Sequence, residues 1–111
     1  MRSGMRERLE KLLAQGRDSA LLRFGLGDAY LKDNDAQQAA THLAQATVQQ
    51  AGYSAAWKLL GKALHQLGRL DEAQAAWTTG VTVAQQQGDL QAVKEMTVFL
   101  KRLQKQQQAI G

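Results

Sequence analysis

The side chains that most often perform catalysis are scarce in this sequence of 111 residues, which contains two histidines, His42 and His65, and no cysteine. General acid–base catalysis needs a positioned histidine or carboxylate, and covalent catalysis needs a nucleophile beside its base. The histidines lack the close spacing and carboxylate neighbours of a metal site, and the glycines form no phosphate-binding loop. We therefore expect no catalytic residue, no metal and no cofactor, and predict that the protein is not an enzyme.

Basic side chains are the more abundant charged group, with 14 lysines and arginines against 10 acidic residues and a net charge of +4. This balance is compatible with an acidic peptide or a nucleic acid as partner. No stretch approaches the ~20 apolar residues that span a bilayer, and the charged N-terminus lacks a signal peptide's apolar segment. We expect a cytoplasmic protein without membrane contact. Much of the positive charge lies near the two ends, at Arg2, Arg6, Arg8 and Lys11 and at Lys94, Lys101, Arg102 and Lys105.

The elements that must position these residues are helices. Proline is absent, whereas alanine, leucine and glutamine, which favour helices, are abundant. Glycines and short polar clusters of the kind that end and cap helices divide the chain into six segments. The predicted helices span about residues 5–15, 20–32, 35–50, 54–67, 71–87 and 89–108.

A sparse pattern recurs without a gap when residues 20–53 are superposed on residues 54–87. The turn of each copy carries Asn34 or Gly68, and both types tolerate a left-handed backbone. Since two helices approach closely only where a side chain is nearly absent, we predict that the glycine of one helix meets the alanine of the next, while large residues fill the flanks. The matched residues are Leu26 with Leu60, Gly27 with Gly61, Ala39 with Ala73, and Leu43 with Trp77.

This pattern resembles the tetratricopeptide repeat family, whose 34-residue helix-turn-helix units follow W-x₂-L-G-x₂-Y…A-x₃-F and commonly end near a proline. Unit 20–53 has Arg23 at the tryptophan position, and Ala51 and Gln85 stand where the two prolines would be. Two extra residues before the last helix align Val93, Met96, Thr97 and Leu100 with the same pattern. Unit 54–87 fills the pattern with Trp57, Leu60, Gly61, Leu64, Ala73 and Trp77.

The resemblance implies an all-α fold, a right-handed α-solenoid of antiparallel helix pairs with about six helices. We expect a single domain over residues 1–111. It would consist of an N-terminal half-unit helix at 5–16, full repeats at 20–53 and 54–87, and a capping helix at 89–108, which covers the apolar end of the array.

In this family the first helices of successive units line a concave groove, so the resemblance implies a module that binds a peptide or a partner protein. Carried over by position, the groove is apolar at its N-terminal end and basic at its C-terminal end, which suits an acidic segment or a chain-terminal carboxylate. The groove positions are Leu21, Phe24, Asp28, Leu31 and Lys32 in the first unit, Ala55, Lys58, Lys62, His65 and Gln66 in the second, and Gln91, Lys94, Val98, Lys101 and Arg102 in the last helix.

Two features of the groove limit this expectation. Some family members clamp the C-terminal carboxylates of heat-shock chaperones with lysine and asparagine, but Phe24 and Asp28 stand in those places here, so we do not expect that activity. The N-terminal helix could also fold over Leu21 and Phe24 and bury them.

Two other functions remain open. The protein could be a self-association or assembly module, because uncharged outer surfaces pack with little desolvation cost. Nucleic-acid binding through Arg2, Arg6, Arg8, Arg17, Arg23 and the basic last helix ranks lower, since stacking aromatics are not interleaved with these residues. The uncharged outer surfaces would be formed by Gln37, Gln38, Thr41, Gln45, Gln49, Gln74, Thr78 and Thr82.

Overall fold

The computed structural model describes the backbone of residues 2–110 and the side chains of residues 4–109. Every regular element in that stretch is an α-helix, and short turns join consecutive helices. The predicted all-α fold is confirmed. The helices are α1 (Arg2–Ala14), α2 (Ala20–Lys32), α3 (Ala36–Gln49), α4 (Ser54–Gln66), α5 (Leu70–Gln87) and α6 (Leu90–Ile110).

Local chemistry in the sequence explains where the helices begin and end. The side chains of Ser19, Asp35 and Asp89 each accept a hydrogen bond of 3.1 Å from a backbone N–H of the following first turn, which satisfies a donor that has no partner within the helix. The turn after α2 passes through Asn34 at φ 61°, and the turn after α4 through Gly68 at φ 76°. Both predicted left-handed positions are therefore confirmed.

The helices pack as a progressive array. Each helix contacts its neighbour in sequence, and α6 contacts α5 and α4 in the same way that α4 contacts α3 and α2. The result is a solenoid with extents of 45 × 31 × 21 Å. Consequently α2, α4 and α6 share one surface, which we call the inner face, while α3 and α5 form the outer face.

Glycine allows the two helices of each pair to interlock, because a large side chain of the second helix lies against it. A Cβ atom added to Gly27 would lie 2.3 Å from Leu43, and one added to Gly61 would lie 2.1 Å from Trp77. The large side chain of the second helix reaches over the glycine. Ala39 and Ala73 are fully buried, and their contact with the two glycines stays a prediction.

Trp77 also joins the second pair to the last helix. Its indole Nε1 donates a hydrogen bond of 3.0 Å to the backbone carbonyl of Lys58, and its ring lies 5.2 Å from that of Phe99 on α6. Met96 and Leu103 of α6 are buried against the same core. The sequence predicts an apolar stripe along this helix that leaves Val98 outside it and consists of Leu90, Val93, Met96, Leu100 and Leu103, widened by Ala92 and Phe99. Leu90 is nevertheless 68% exposed because it is the first residue of the helix.

The first pair replaces the tryptophan of the repeat by a polar cluster. The Arg23 guanidinium forms hydrogen bonds of 2.9 and 3.0 Å with Asp18 and donates one of 3.2 Å to Nδ1 of His42. The hydrogen bond from Arg23, assisted by one from Gln49, lowers the pKa of Asp18 to about 2. The His42 ring stacks on Tyr30 with centroids 5.5 Å apart. Burial, together with the charge of Arg23, lowers the pKa of His42 from its usual value of 6.5.

Substitution of Gly61 by alanine should destabilise the protein by about 1–3 kcal/mol, because the added methyl group collides with the Trp77 ring. Better helix propensity returns at most about 1 kcal/mol, so the clash determines the sign. Urea unfolding followed by circular dichroism measures the change. Gly4→Ala on α1 is the matched control, since nothing lies within 4 Å of its added Cβ, and it should leave stability unchanged or slightly raised. Equal stability of Gly61→Ala and wild type would contradict the interlock.

Stability should fall as the pH drops below the ordinary histidine value of 6.5, because folding lowers the pKa of His42 and the unfolded chain therefore binds the proton more readily. The groups around this ring are Arg23, Tyr30, Glu10 and Asp18, and Asp18 stays ionised throughout. Urea midpoints measured between about pH 7.5 and 5.5 record the loss.

In the variant His42→Gln this acid-dependent loss should shrink. His65→Gln removes the other histidine and serves as the control, since it leaves His42, and the loss attributed to that ring, in place. An unchanged acid response in His42→Gln would show that His42 does not cause it.

Candidate functional site

The inner face carries most of the residues that the sequence assigns to a binding groove, but its two ends differ in the exposure of these residues. At the N-terminal end, Leu21 of α2 is 72% exposed, so α1 does not bury it. Phe24 is half-buried, since its ring stacks on Tyr53 with centroids 5.0 Å apart, and Leu31 packs against the core. The expected cluster of exposed apolar residues therefore reduces to Leu21 alone.

Tyr53 lies in the turn before α4 and could not have been assigned this role from the repeat pattern, which constrains only the helices. Its burial raises the pKa of its hydroxyl group. The cover over Phe24 thus comes from the next unit of the array, whereas the sequence raised the possibility of a cover from α1.

At the C-terminal end, the inner face opens into a pocket of about 230 Å³ between α4 and α6. Its floor is aromatic, formed by Trp77 and Phe99. Cationic and polar side chains surround this floor. The residues that line the pocket are Lys62, His65, Gln66, Trp77, Phe99 and Arg102.

Contacts within this pocket fix several of its side chains. The Lys62 Nζ atom lies 5.1 Å from the centre of the Phe99 ring, a distance suited to a cation–π interaction. Nε2 of His65 lies 2.8 Å from Oε1 of Gln106 on α6, and the His65 ring lies 6.0 Å from that of Trp77. Lys62, Gln66 and Arg102 are exposed to solvent. The pocket therefore combines a rigid apolar floor with accessible positive charge.

Acidic neighbours neutralise two of the other predicted groove lysines. Lys58 pairs with Glu95 of α6 at 3.3 Å, and Lys32 pairs with Asp28 one helical turn away at 2.9 Å. Both pairs lie on or beside the inner face. As a result, the accessible positive charge of the inner-face pocket comes from Lys62 and Arg102.

The structure does not bring all the groove candidates together. Val98 is 42% exposed on α6, as its position off the apolar stripe predicts. Lys101 lines a different cleft, which lies between α5 and α6 at the end of the array. Lys94 and Gln91 are exposed on α6 without lining the inner-face pocket, and Ala55 is half-buried on α4.

Two functional candidates were missed from the sequence. Trp77 and Phe99 were both assigned to packing, yet they form the floor of the pocket. The signal was present for Phe99, because it broadens the apolar stripe of α6 on the side toward the inner face. For Trp77 the only hint was its size, since the repeat position that it fills is the same one that Leu43 fills in the first unit.

Two of the four described arginines that were proposed for nucleic-acid binding, Arg6 and Arg23, are engaged in the fold. Arg6 pairs with Asp33 at 3.0 Å and lies over the Tyr30 ring, whose hydroxyl donates a hydrogen bond to Glu10. Arg23 is held by Asp18. Arg8 and Arg17 are exposed, and Arg2 lies outside the described side chains. These interactions join α1 to α2 and leave Arg8 and Arg17 of this set accessible to a polyanion.

Neither a cluster of metal-ligating side chains nor a membrane-spanning helix is found in the part of the chain that the structure describes. No three histidine, aspartate or glutamate side chains there come together as a metal site. None of the described helices combines the length and the apolar character needed to cross a bilayer.

Antiparallel helix pairs that stack in one direction and interlock through glycine define a helical-repeat protein of the α-solenoid class. The tetratricopeptide repeat model matches the chain over residues 6–55 and again over residues 24–79. The chain belongs to the tetratricopeptide repeat family. Proteins of this family generally mediate protein–protein interactions and typically act as scaffolds without catalytic activity.

Similar proteins support this assignment. A TPR repeat-containing protein of Pseudomonas aeruginosa is 56% identical over 99 residues, which cover 89% of this chain and 94% of the relative. The solution structure of a protein from Bordetella parapertussis is 46% identical, with a TM-score of 0.80 over 92% of this chain and 89% of the other. A tetratricopeptide repeat domain protein from Salinibacter ruber, with 22% identity, a TM-score of 0.74 and coverage of 79% and 98%, shows the shared fold alone.

Proposed function

We propose that the protein binds a partner protein through a peptide segment that places an apolar side chain beside a carboxylate in the inner-face pocket. The observation that carries this proposal is the aromatic floor of Trp77 and Phe99 lying between the cations Lys62 and Arg102. This chemistry suits a non-enzymatic interaction module, because recognition here needs a shaped surface and charge but no reacting group.

The size of the pocket favours a single side chain. A volume of about 230 Å³ is smaller than the ~300–1,000 Å³ of a site that encloses a drug-sized ligand, so a partner would insert one apolar residue and continue along the inner face. The aromatic floor is a small apolar surface that costs little conformational freedom on binding, since packing already holds Phe99 and the nearly buried Trp77 in place.

The charges around the pocket favour an acidic partner. Because Glu95 neutralises Lys58 and Asp28 neutralises Lys32, the accessible cations Lys62 and Arg102 supply the attraction. A planar guanidinium binds a carboxylate through two parallel hydrogen bonds. The carboxylate could belong to an acidic side chain or to a chain terminus, and both forms present an anion next to an apolar group.

The exposed side chain of Leu21 supports a second contact. It lies on α2, whereas the pocket lies between α4 and α6, so an extended segment running along the inner face would reach both. This arrangement retains the apolar N-terminal end and the basic C-terminal end that the sequence predicts, but with one exposed leucine in place of three apolar residues.

The test uses fluorescein-labelled peptides with one phenylalanine between aspartates, and matched peptides with asparagines instead. Fluorescence anisotropy should show that the aspartate peptides bind more tightly than the asparagine peptides. This difference in affinity should become smaller as the salt concentration rises. Lys62→Glu combined with Arg102→Glu should lower that affinity at least about tenfold, the equivalent of roughly 1.4 kcal/mol. A third peptide that ends in phenylalanine with a free carboxylate distinguishes a chain terminus from an acidic side chain.

The control pair Lys11→Glu and Arg17→Glu changes the net charge equally but lies on α1 and in the turn after it, so the affinity should change much less. Binding that is equal for the aspartate and asparagine peptides, or equal for wild type and the pocket double variant, would contradict the proposal. Circular dichroism confirms that each variant remains helical.

A further inference from the structure

Two clefts between helices occupy equivalent places in the repeat. The first, of about 310 Å³, lies between Ala40 and Ala44 of α3 and the leucines Leu60 and Leu64 of α4. The second, of about 500 Å³, lies between Gln74 and Thr78 of α5 and a set of α6 residues that includes Leu100. Gln74 and Thr78 follow Ala40 and Ala44 by one 34-residue repeat, and Leu100 matches Leu64 in the register of the last helix.

The two clefts differ in their third wall. In the first cleft, Arg69 and Glu72 at the start of α5 close the side away from α3, because α5 packs on α4. In the second cleft, no helix from residues 2–110 occupies the corresponding place on α6. We call this second cleft, together with the adjoining free side of α6, the end cleft.

The free side of α6 carries a regular stripe of residues at alternating spacings of four and three, which places them on one helix face. Leu90 at its start is 68% exposed. The stripe contains two lysines and no acidic residue, so it presents apolar and positively charged groups together. Its members are Leu90, Lys94, Thr97, Lys101, Gln104 and Gln108.

We propose that the end cleft docks an acidic amphipathic α-helix of a partner protein, which takes the place on α6 that α5 takes on α4. The shape argument is that α2 and α4 each already pack a helix on the equivalent face, α3 and α5 respectively. The charge argument is that Lys94 and Lys101 attract carboxylates, whereas a second copy of this chain carries a net charge of +4. An acidic helix satisfies both conditions.

Thr97 determines how closely that helix can approach. It stands at the position of Gly27 and Gly61, where the missing side chain lets Leu43 and Trp77 lie against the helix backbone. A threonine side chain holds a docked helix farther from α6 and leaves the larger, polar-walled cleft observed here. The interaction is therefore looser than the two internal ones, as a reversible association requires. It is independent of the inner-face pocket, which Lys62 and Arg102 line.

The probe is a synthetic peptide with the sequence of α5, acetylated and amidated, in which leucine replaces the tryptophan. This peptide has two acidic residues and no basic one, and its leucine has the size of the residue that lies over Gly27. In a titration of the full chain followed by amide NMR shifts, the perturbed residues should cluster at Gln74, Thr78, Thr97, Lys101 and Gln104.

Variants of the chain test which residues determine the affinity for the peptide. Lys94→Glu combined with Lys101→Glu should weaken peptide binding by about tenfold or more, and Thr97→Ala should tighten it, since the side chain that separates the helices becomes smaller. The charge-matched pair Lys11→Glu and Arg17→Glu should bind as wild type does. The pocket pair Lys62→Glu and Arg102→Glu should also retain binding, which separates this proposal from the inner-face function.

Three results would overturn the inference: no shift at millimolar peptide, shifts confined to the inner-face pocket, or shifts throughout α4 that indicate exchange of the peptide with α5. Binding that Thr97→Ala leaves unchanged would likewise contradict docking at this face.

Discussion

The interlock between a glycine and a large side chain is the contact on which the rest of the structure depends. Leu43 over Gly27 and Trp77 over Gly61 set the separation within each helix pair, and that separation lets α4 contact both α2 and α6. Trp77 has a second role, because its ring meets Phe99 and forms part of the inner-face pocket. The same contact that builds the repeat therefore also builds the floor of the proposed binding site.

Ion pairing then decides which of the many basic residues remain accessible. Lys32 and Lys58 each lie beside a carboxylate, and Arg6 and Arg23 stabilise the packing of the first three helices. Surface pairs of this kind contribute little stability, about 0–1 kcal/mol each, but they change the electrostatic potential considerably. On the inner face, the accessible positive charge is thus concentrated around Lys62 and Arg102.

The sequence predicted the helices and the family well because glycines, capping residues and a 34-residue pattern act locally. The site was harder to predict, since it depends on the rotation of one helix about its axis against another. Lys101 was assigned to the groove by position, but α6 turns it toward α5. Phe24 was placed in the groove with a possible cover from the N-terminal helix, but its ring stacks instead on Tyr53, which lies in a turn that the repeat does not constrain. Long-range contacts of this kind leave no signal in periodicity.

Differences between the two repeats show which positions were free to change. Where the second unit has Trp57, the first has Arg23, which engages Asp18 and His42 in place of an apolar contact. Where the first unit lines its cleft with Ala40 and Ala44, the second presents Gln74 and Thr78. Neither change disturbs the interlock at Gly27 or Gly61. Because the packing skeleton needs so few residues, the remaining positions can vary without loss of the fold, and the surfaces that they form are the ones able to specify a partner.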